Sequence, residues 1–392
     1  MRIALVHMRH AQVGGTERIL NEVSRRLSER GHEVTLVCRS HAEATHPSQR
    51  FVVLRSPVIG SAWRMWAFAE AVEKHLARTT YDLVFGLGRT WTQDVLRASG
   101  GSHAAWIEQL SKAQGGSWRD ALWLHALKNR LALRIERRAY APGAYRRVIT
   151  NSNLVRDDLA ARYALPLDKT EVIYNGVDLA RFRPRAESER AELRRGLGWS
   201  ADEIVFLFLG KGFARKGLER GLRAFRELAA MEPRARLAIA GEDAGQPWYE
   251  ALARELGVAE RVQFLGLRRD PELCLAACDV HFLPTWYDSF AFTVLEALAC
   301  GTPVVTTTSA GAAELVDSGI HGSVVSGAAE AAELAAALRV WCDPERRRAS
   351  TGRARARAEL HGFETTMQRM IAVLERVALE RATTVDRRTR DS

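Results

Sequence analysis

At 392 residues, 47% of them hydrophobic, the chain is long enough for two domains with sizeable cores and too apolar to be disordered, and its formal charge of +10 favours anionic partners. Its five cysteines, odd in number and scattered (Cys38, Cys274, Cys278, Cys300, Cys342), argue against a disulfide framework. The apolar run in Met1–His7 is too short for a signal peptide and nothing approaches 18 uninterrupted apolar residues, so the expectation is a soluble, cytoplasmic protein.

In chain order, Arg2-Ile-Ala-Leu-Val6 reads as a buried strand and Gly14-Gly15 as a turn. A helix follows from about Thr16 to Glu29, with Ile19, Leu20, Val23 and Leu27 on one face, then a strand at Glu33–Cys38. This βαβ unit is extended by expected strands at Phe51–Leu54, Asp82–Phe85, Arg147–Thr150 and Glu171–Tyr174, a doubly wound pattern. Gly14 and Gly15 could bring backbone amides to a ligand or simply make the turn; no G-x-G-x-x-G follows Val6, which argues against a nicotinamide dehydrogenase. Gly100-Gly-Ser-His103 forms a further loop, with Asp94 upstream as a second acid-base candidate. Lys112 to Arg147 carries nine Lys or Arg against two acids and stands beside Trp106, Trp118 and Trp123. Such a segment suits either an anionic bilayer surface or a helix packed on its own domain with a basic edge. No nucleic-acid recognition module is present, so nucleic acid is not an expected partner.

Asn175–Asp178 reads as a turn and Arg181–Arg185 as a linker into a second βα series. Its strands are expected at Ile204–Leu209, Arg236–Ala240, Val262–Phe264, Val280–Leu283 and Pro303–Thr307. The fold class is therefore α/β, two tandem Rossmann-like domains facing across a cleft. Gly210-Lys-Gly-Phe-Ala-Arg-Lys-Gly217 lies between a strand and a helix and offers Arg215 and Lys216 to an anion, or simply as surface charge. No D-x-D triplet occurs, so no metal is expected, and Cys274 and Cys278 read as core filling. Glu242 reads as a loop acid. In Tyr287–Val305, Ala291, Val294, Leu295 and Leu298 fall at helical spacing, closed by Gly301 and Pro303. Asp288 and Glu296 then stand about 12 Å apart at 1.5 Å per residue, too far for one bond and suited to the two ends of a long ligand. The amides of Ala291, Phe292, Thr293 and Val294 would face phosphates between them. The plainer alternative is a core helix with Asp288 as its cap and Glu296 in solvent. A last helix is expected over Phe363–Ala378.

The Asp288-x7-Glu296 segment resembles the acidic-x7-Glu signature of retaining, nucleotide-sugar-dependent glycosyltransferase family four, of GT-B fold. The resemblance implies that Asp288 contacts the donor sugar, Glu296 the ribose, and the amides of residues 291–294 the diphosphate. It also implies that Leu267 holds the nucleobase through its backbone, that Gly14 and Gly15 face the donor, and that Arg215 and Lys216 neutralise the departing diphosphate. The family usually has Glu where this chain has Asp288. Gly-Ser-His-Ala-Ala-Trp106 resembles a segment of lipopolysaccharide core glucosyltransferases near the acceptor and transferred sugar, which makes His103 catalytic. The implied domains are 1–180 with a returning helix 363–380, 181–362, and a flexible tail 381–392. The implied activity is metal-independent transfer of a hexose, with no cofactor, from a UDP-sugar to a lipid-linked or cell-envelope saccharide such as lipopolysaccharide core, with the enzyme cytoplasmic or peripheral on the inner leaflet. The alternatives are a nucleotide-sugar epimerase or hydrolase of the same fold, or a noncatalytic basic protein that binds membrane or nucleic acid.

Overall fold

The computed structural model describes residues 1–11, 15–44, 46–55, 60–113 and 126–390, apart from the side chains of 15, 112, 113 and 384–390. The chain divides into two compact units, one of Met1–Ile107, Ser117–Ile173 and Thr366–Ser392, the other of Glu108–Gly116 and Tyr174–Thr365.

The first unit is built on a seven-stranded sheet in the order β3-β2-β1-β4-β5-β6-β7. The strands are β1 (Arg2–Val6), β2 (Glu33–Cys38), β3 (Arg50–Val53), β4 (Leu83–Gly86), β5 (Val95–Ala98), β6 (Arg147–Thr150) and β7 (Thr170–Val172). Every pairing is parallel, which requires crossovers that cover both faces and explains why β1 and β4 are continuous apolar runs rather than alternating ones. The helix Gly15–Glu29 buries Ile19, Leu20, Val23 and Leu27, the face that its spacing predicts. Strand β5 was not expected: only four residues long, it carries Arg97, which is buried and breaks the apolar pattern.

The last helix, Phe363–Arg390, completes this unit. Met370, Ile371, Leu374 and Val377 are buried along one face, and Glu375 accepts from Arg30 at 2.8 Å and pairs with His32 at 3.3 Å. The helix continues past 381 to Arg390, with no Gly or Pro to interrupt it, and Arg381 Nη1 donates to Asp94 Oδ2 at 2.5 Å.

The second unit has a six-stranded parallel sheet in the order β10-β9-β8-β11-β12-β13. Its strands are β8 (Ile204–Leu209), β9 (Ala235–Ala240), β10 (Val262–Gly266), β11 (Val280–Leu283), β12 (Val304–Thr307) and β13 (Gly322–Val325). The edge strand β13 was also missed, being short, begun by glycine and only half-buried along most of its length. Phe206, Phe208, Phe213, Phe225 and Trp341 fill the core. Arg181–Arg185 is not a free linker: Phe182 is buried in this core and Arg355 donates to the carbonyls of Leu179, Phe182 and Ala299. In both sheets the strand order reverses once, between β1 and β4 and between β8 and β11, and open α/β sheets bind ligands beyond the carboxyl ends of the strands at such a point.

Candidate functional site

At the β8/β11 reversal two loops meet. The first, leaving β8, must turn sharply within its own unit, and glycine makes this possible: Gly210, Gly212 and Gly217 all have positive φ. Gly217 cannot be replaced, since a Cβ there would lie 1.8 Å from the carbonyl oxygen of Pro284 in the second loop. The loops are also tied by Trp286 N to Arg215 O at 3.0 Å and by the Thr285 hydroxyl to the same oxygen at 3.1 Å.

These ties bring together three residues that are distant in sequence. Asp288 Oδ2 accepts from Lys216 Nζ at 2.6 Å and from Arg215 Nη1 at 3.1 Å, while Arg215 Nη1 also donates to Tyr287 O at 2.7 Å. The other oxygen, Oδ1, accepts from the amides of Ala291 at 2.6 Å and Phe290 at 3.1 Å. Burial alone would raise the pKa of this carboxyl, but the charges of Lys216 and Arg215 and the bonds from Lys216 and Phe290 hold it well below the usual carboxylate range. Asp288 is also fixed through its backbone, with N donating to Ser309 O and O accepting from Gly311 N, both at 2.9 Å.

The helix that follows spans Phe292–Ala299 and is entered through Ala291 at φ 64°, a left-handed conformation unusual for a residue with a Cβ. Of the four amides expected to face phosphates, two are already used: Ala291 N by Asp288, and Val294 N by Ala291 O at 3.1 Å. Those of Phe292 and Thr293 have no acceptor among the described residues. Asp288 is thus not the helix cap of the plainer reading, since the N-cap is Ala291 with no side-chain cap bond; it caps the turn ahead of the helix and is at the same time the partner of two cations. Glu296 is half-buried one helical stretch further on; the pKa of Arg181 is raised by its hydrogen bond to Glu272 first and, to a lesser degree, by the charge of Glu296. Leu267 stands exposed after Gly266, whose carbonyl accepts from Gly241 N at 2.8 Å. Glu242 is exposed and outside this cluster.

Sequence reasoning missed His281. Fully buried in β11, it hydrogen-bonds Leu207 O at 2.9 Å through Nδ1 and Thr293 Oγ1 at 3.0 Å through Nε2. A carbonyl only accepts, so Nδ1 carries the proton and Nε2 takes the Thr293 hydroxyl hydrogen, turning that hydroxyl away from any phosphate and leaving the Thr293 amide to face it. Burial pushes the pKa of His281 down to about 4, so the ring is neutral. A lone histidine in an apolar strand gives no spacing signal.

In the first unit, a cavity of about 560 Å³ opens at the carboxyl ends of β4 and β5. His103 lines it, at the start of the helix His103–Ala113. Its Nδ1 lies 3.3 Å from Arg89 Nη2, its Nε2 3.0 Å from Asn129 Oδ1, and its ring stacks on Trp106. The guanidinium can only donate, so Nδ1 accepts and Nε2–H donates to Asn129, and both ring nitrogens are engaged. Burial first, and then Arg89, lower the pKa of His103 to about 4. The expected catalytic role therefore has no free ring nitrogen behind it here; His103 orients Arg89. Asp94 lies elsewhere. It precedes β5 where His103 follows it, and it accepts from Val84 N at 2.8 Å and from Arg146 and Arg381. Gly14 falls outside the described residues and Gly15 begins the first helix. Trp118 and Trp123 are likewise outside them.

Two doubly wound parallel sheets in tandem, with an acid and two cations at the reversal of the second, are the architecture of the GT-B class. Residues 13–181 match the family described as Glycosyltransferase Family 4 and residues 189–357 that described as Glycosyl transferases group 1. The first half of the chain thus matches one glycosyltransferase family and the second half another. It is 33% identical over 237 residues to a D-inositol 3-phosphate glycosyltransferase of Actinosynnema mirum, covering 58% of this chain and 56% of that one. A glycogen synthase of Mycobacterium tuberculosis is 29% identical over 387 residues, 91% of this chain and 90% of its own. The chain otherwise spans about half the length of the curated relatives it matches. Among solved structures, WaaG, a glycosyltransferase involved in lipopolysaccharide biosynthesis, shares the fold with a TM-score of 0.79 at 21% identity, over 95% of this chain and 99% of its own. HepE of Anabaena in complex with UDP-glucose superposes with a TM-score of 0.68 at 22% identity, over 96% of this chain and 99% of its own.

Proposed function

We propose that the protein is a retaining, metal-independent glycosyltransferase that takes a hexose from a nucleotide sugar, UDP-glucose or similar. The observation that carries this reading is the convergence of Arg215 and Lys216 on Asp288, directly before a helix start with two uncommitted amides. Asp288 supplies the negative charge that the two cations need. A bound diphosphate would take over that role, leaving Asp288 to accept from sugar hydroxyls, while the Phe292 and Thr293 amides face the phosphates. As the bond from the anomeric carbon to the diphosphate breaks, charge grows on the leaving oxygen, and Arg215 and Lys216 are already oriented to stabilise it. The acceptor oxygen forms the new bond on the same face and its proton passes to the leaving diphosphate. Glu296 would hold the ribose and the backbone near Leu267 the base. UDP as the nucleotide is supported by the UDP-glucose complex of HepE.

A cell-envelope saccharide such as lipopolysaccharide core is our proposed acceptor, on the likeness to WaaG. Cytoplasmic action at the inner leaflet fits the exposed cations Lys128, Arg130, Arg134 and Arg137 on the helix Leu127–Ala139; among the described residues no helix is long and apolar enough to cross a membrane. The test is a panel of nucleotide sugars incubated with the protein. One is expected to raise the melting temperature and to be slowly hydrolysed, and transfer is expected to keep the anomeric configuration. If no nucleotide sugar binds, or if the product is inverted, this function is wrong.

A further inference from the structure

The cavity of the first unit has an electrostatic character that the proposed reaction does not by itself require. Among the described residues its ionisable lining consists of Arg89, Arg97, Lys128, His103, Glu136 and Tyr140. Glu136 is the only acid among them, and its two oxygens are taken up by the amide of His103, at 2.9 and 3.0 Å. Burial raises its pKa to about 7, so that near neutrality it carries only part of a charge. His103 is neutral. The cations of Arg89 and Lys128 therefore face a fraction of one anion.

Arg89 is the better placed of the two. It keeps an exposed face at the cavity, and its side-chain contacts are weak acceptors, Met65 Sδ at 3.0 Å and His103 Nδ1 at 3.3 Å. Among the described residues it forms no ion pair, and two contacts leave most of the five guanidinium N–H groups to a ligand. The contacts nonetheless fix its direction, because Asn129 holds the ring that holds the guanidinium. The guanidinium of Arg97 takes no part: the residue is buried in β5 and its Nη1 lies 3.3 Å from Met370 Sδ of the last helix. Lys128 is exposed at the rim. An uncharged sugar would gain nothing from this arrangement and would leave it uncompensated.

We infer that this cavity receives an acceptor bearing an anionic group, a phosphate monoester or a carboxylate on a polyol or sugar, clamped by Arg89 with Lys128 at the rim. The inference rests on the proposed glycosyl transfer for the word acceptor, but the anion site stands on the cavity alone. Arg89 is a binding residue in this scheme and His103 with Asn129 a positioning pair. The planar fork of Arg89 suits two oxygens of one anionic group, which a lysine could meet only as a point charge.

The test uses the full chain with saturating UDP and matched ligands: myo-inositol, inositol 1-phosphate, glucose, glucose 6-phosphate and glucuronate, titrated calorimetrically at two salt concentrations. At least one charged member is expected to bind tenfold or more tightly than its neutral counterpart and to weaken as salt rises. Preference for the phosphates or for glucuronate tells which anionic group is used. Arg89→Gln is expected to lose most of that preference and Arg89→Lys to recover part of it, while UDP binding by each variant reports that it is folded. Equal binding of neutral and charged members, or an Arg89→Gln protein that still prefers the charged ones, overturns the inference. Failure of UDP to bind wild type refutes the proposed function instead, and leaves the anion preference to be read without it.

Discussion

Asp288 shows how one carboxylate can be both a structural cap and a partner to chemistry. It spends one oxygen on the amides of Phe290 and Ala291 and the other on Lys216 and Arg215. Removing Lys216 leaves the cap intact and takes away a preorganised positive charge, so Lys216→Ala is expected to keep the fold and slow turnover by about 10²–10³-fold, measured as kcat with saturating donor. Unchanged turnover would take Lys216 out of the reaction. The two neutral histidines make a separate prediction about pH. His103 and His281 both have folded pKa values near 4, below the ordinary value of about 6.5. Over that interval the unfolded chain binds the extra protons, so stability is full above about pH 6.5 and is lost as pH falls towards 4. For the fully buried His281 the loss is on the order of 3 kcal/mol. Glu136 works in the opposite sense: with its pKa raised to about 7, its contribution is full below the ordinary carboxylate range and is lost as pH rises to 7. Urea unfolding of wild type and His281→Asn from pH 4 to 7 checks this, the variant being expected to show the shallower slope.

At the scale of elements, the loops depend on backbone conformations that only some residues tolerate, and two positions make contrasting predictions. Gly217 sits at φ 76° against the Pro284 carbonyl, so Gly217→Ala must part the loops after β8 and β11, which destabilises by several kcal/mol and scatters Arg215, Lys216 and Asp288 together. Ala291, by contrast, bears left-handed strain that glycine would relieve, so Ala291→Gly is expected to raise stability by about 0.5–1 kcal/mol in thermal unfolding, a gain bounded by the added entropy of the unfolded chain. These positions also mark what the chain's letters could and could not convey. The helical spacing from Ala291 to Leu298 and the Gly301-Thr-Pro303 stop are local, and the helix lies where they put it. So does the loop of Arg215 and Lys216 after a wholly apolar strand. The contact of those cations with Asp288, more than seventy positions on, follows from strand order, which no local period encodes. The same holds for Arg89, His103, Asn129 and Glu136, which reach one cavity from the segment after β4 and two helices. Strand β5 was hidden by Arg97, and Asp94 was misplaced with it, because without that strand the segment reads as a single loop.

On the scale of the whole molecule, the order of the chain is not the order of its packing. The first unit begins at Met1, yet its surface is closed by Thr366–Ser392, after the whole second unit has been threaded. The closing helix is held by more than apolar burial: Arg376 pairs with Glu171, Arg381 with Asp94, Arg147 with Glu380, and Glu375 with Arg30. Exposed pairs of this kind contribute little each, whereas Met370, Ile371, Leu374 and Val377, all buried, contribute about 1.5–3 kcal/mol apiece, a sum comparable with the entire stability of a domain. Ending the chain after Thr365 should therefore leave the first unit open and aggregation-prone, with its melting transition lost or greatly lowered. Ending it after Thr383 keeps Arg381 and should shift the melting temperature by a few degrees at most. Comparing the two truncations by calorimetry separates the contributions, since the second retains both the apolar face and the Asp94 pair. A first unit that unfolded normally without its last helix would mean that the buried methionine and aliphatic face is dispensable, and that the sheet's own crossovers suffice to hold the loops around the His103 cavity.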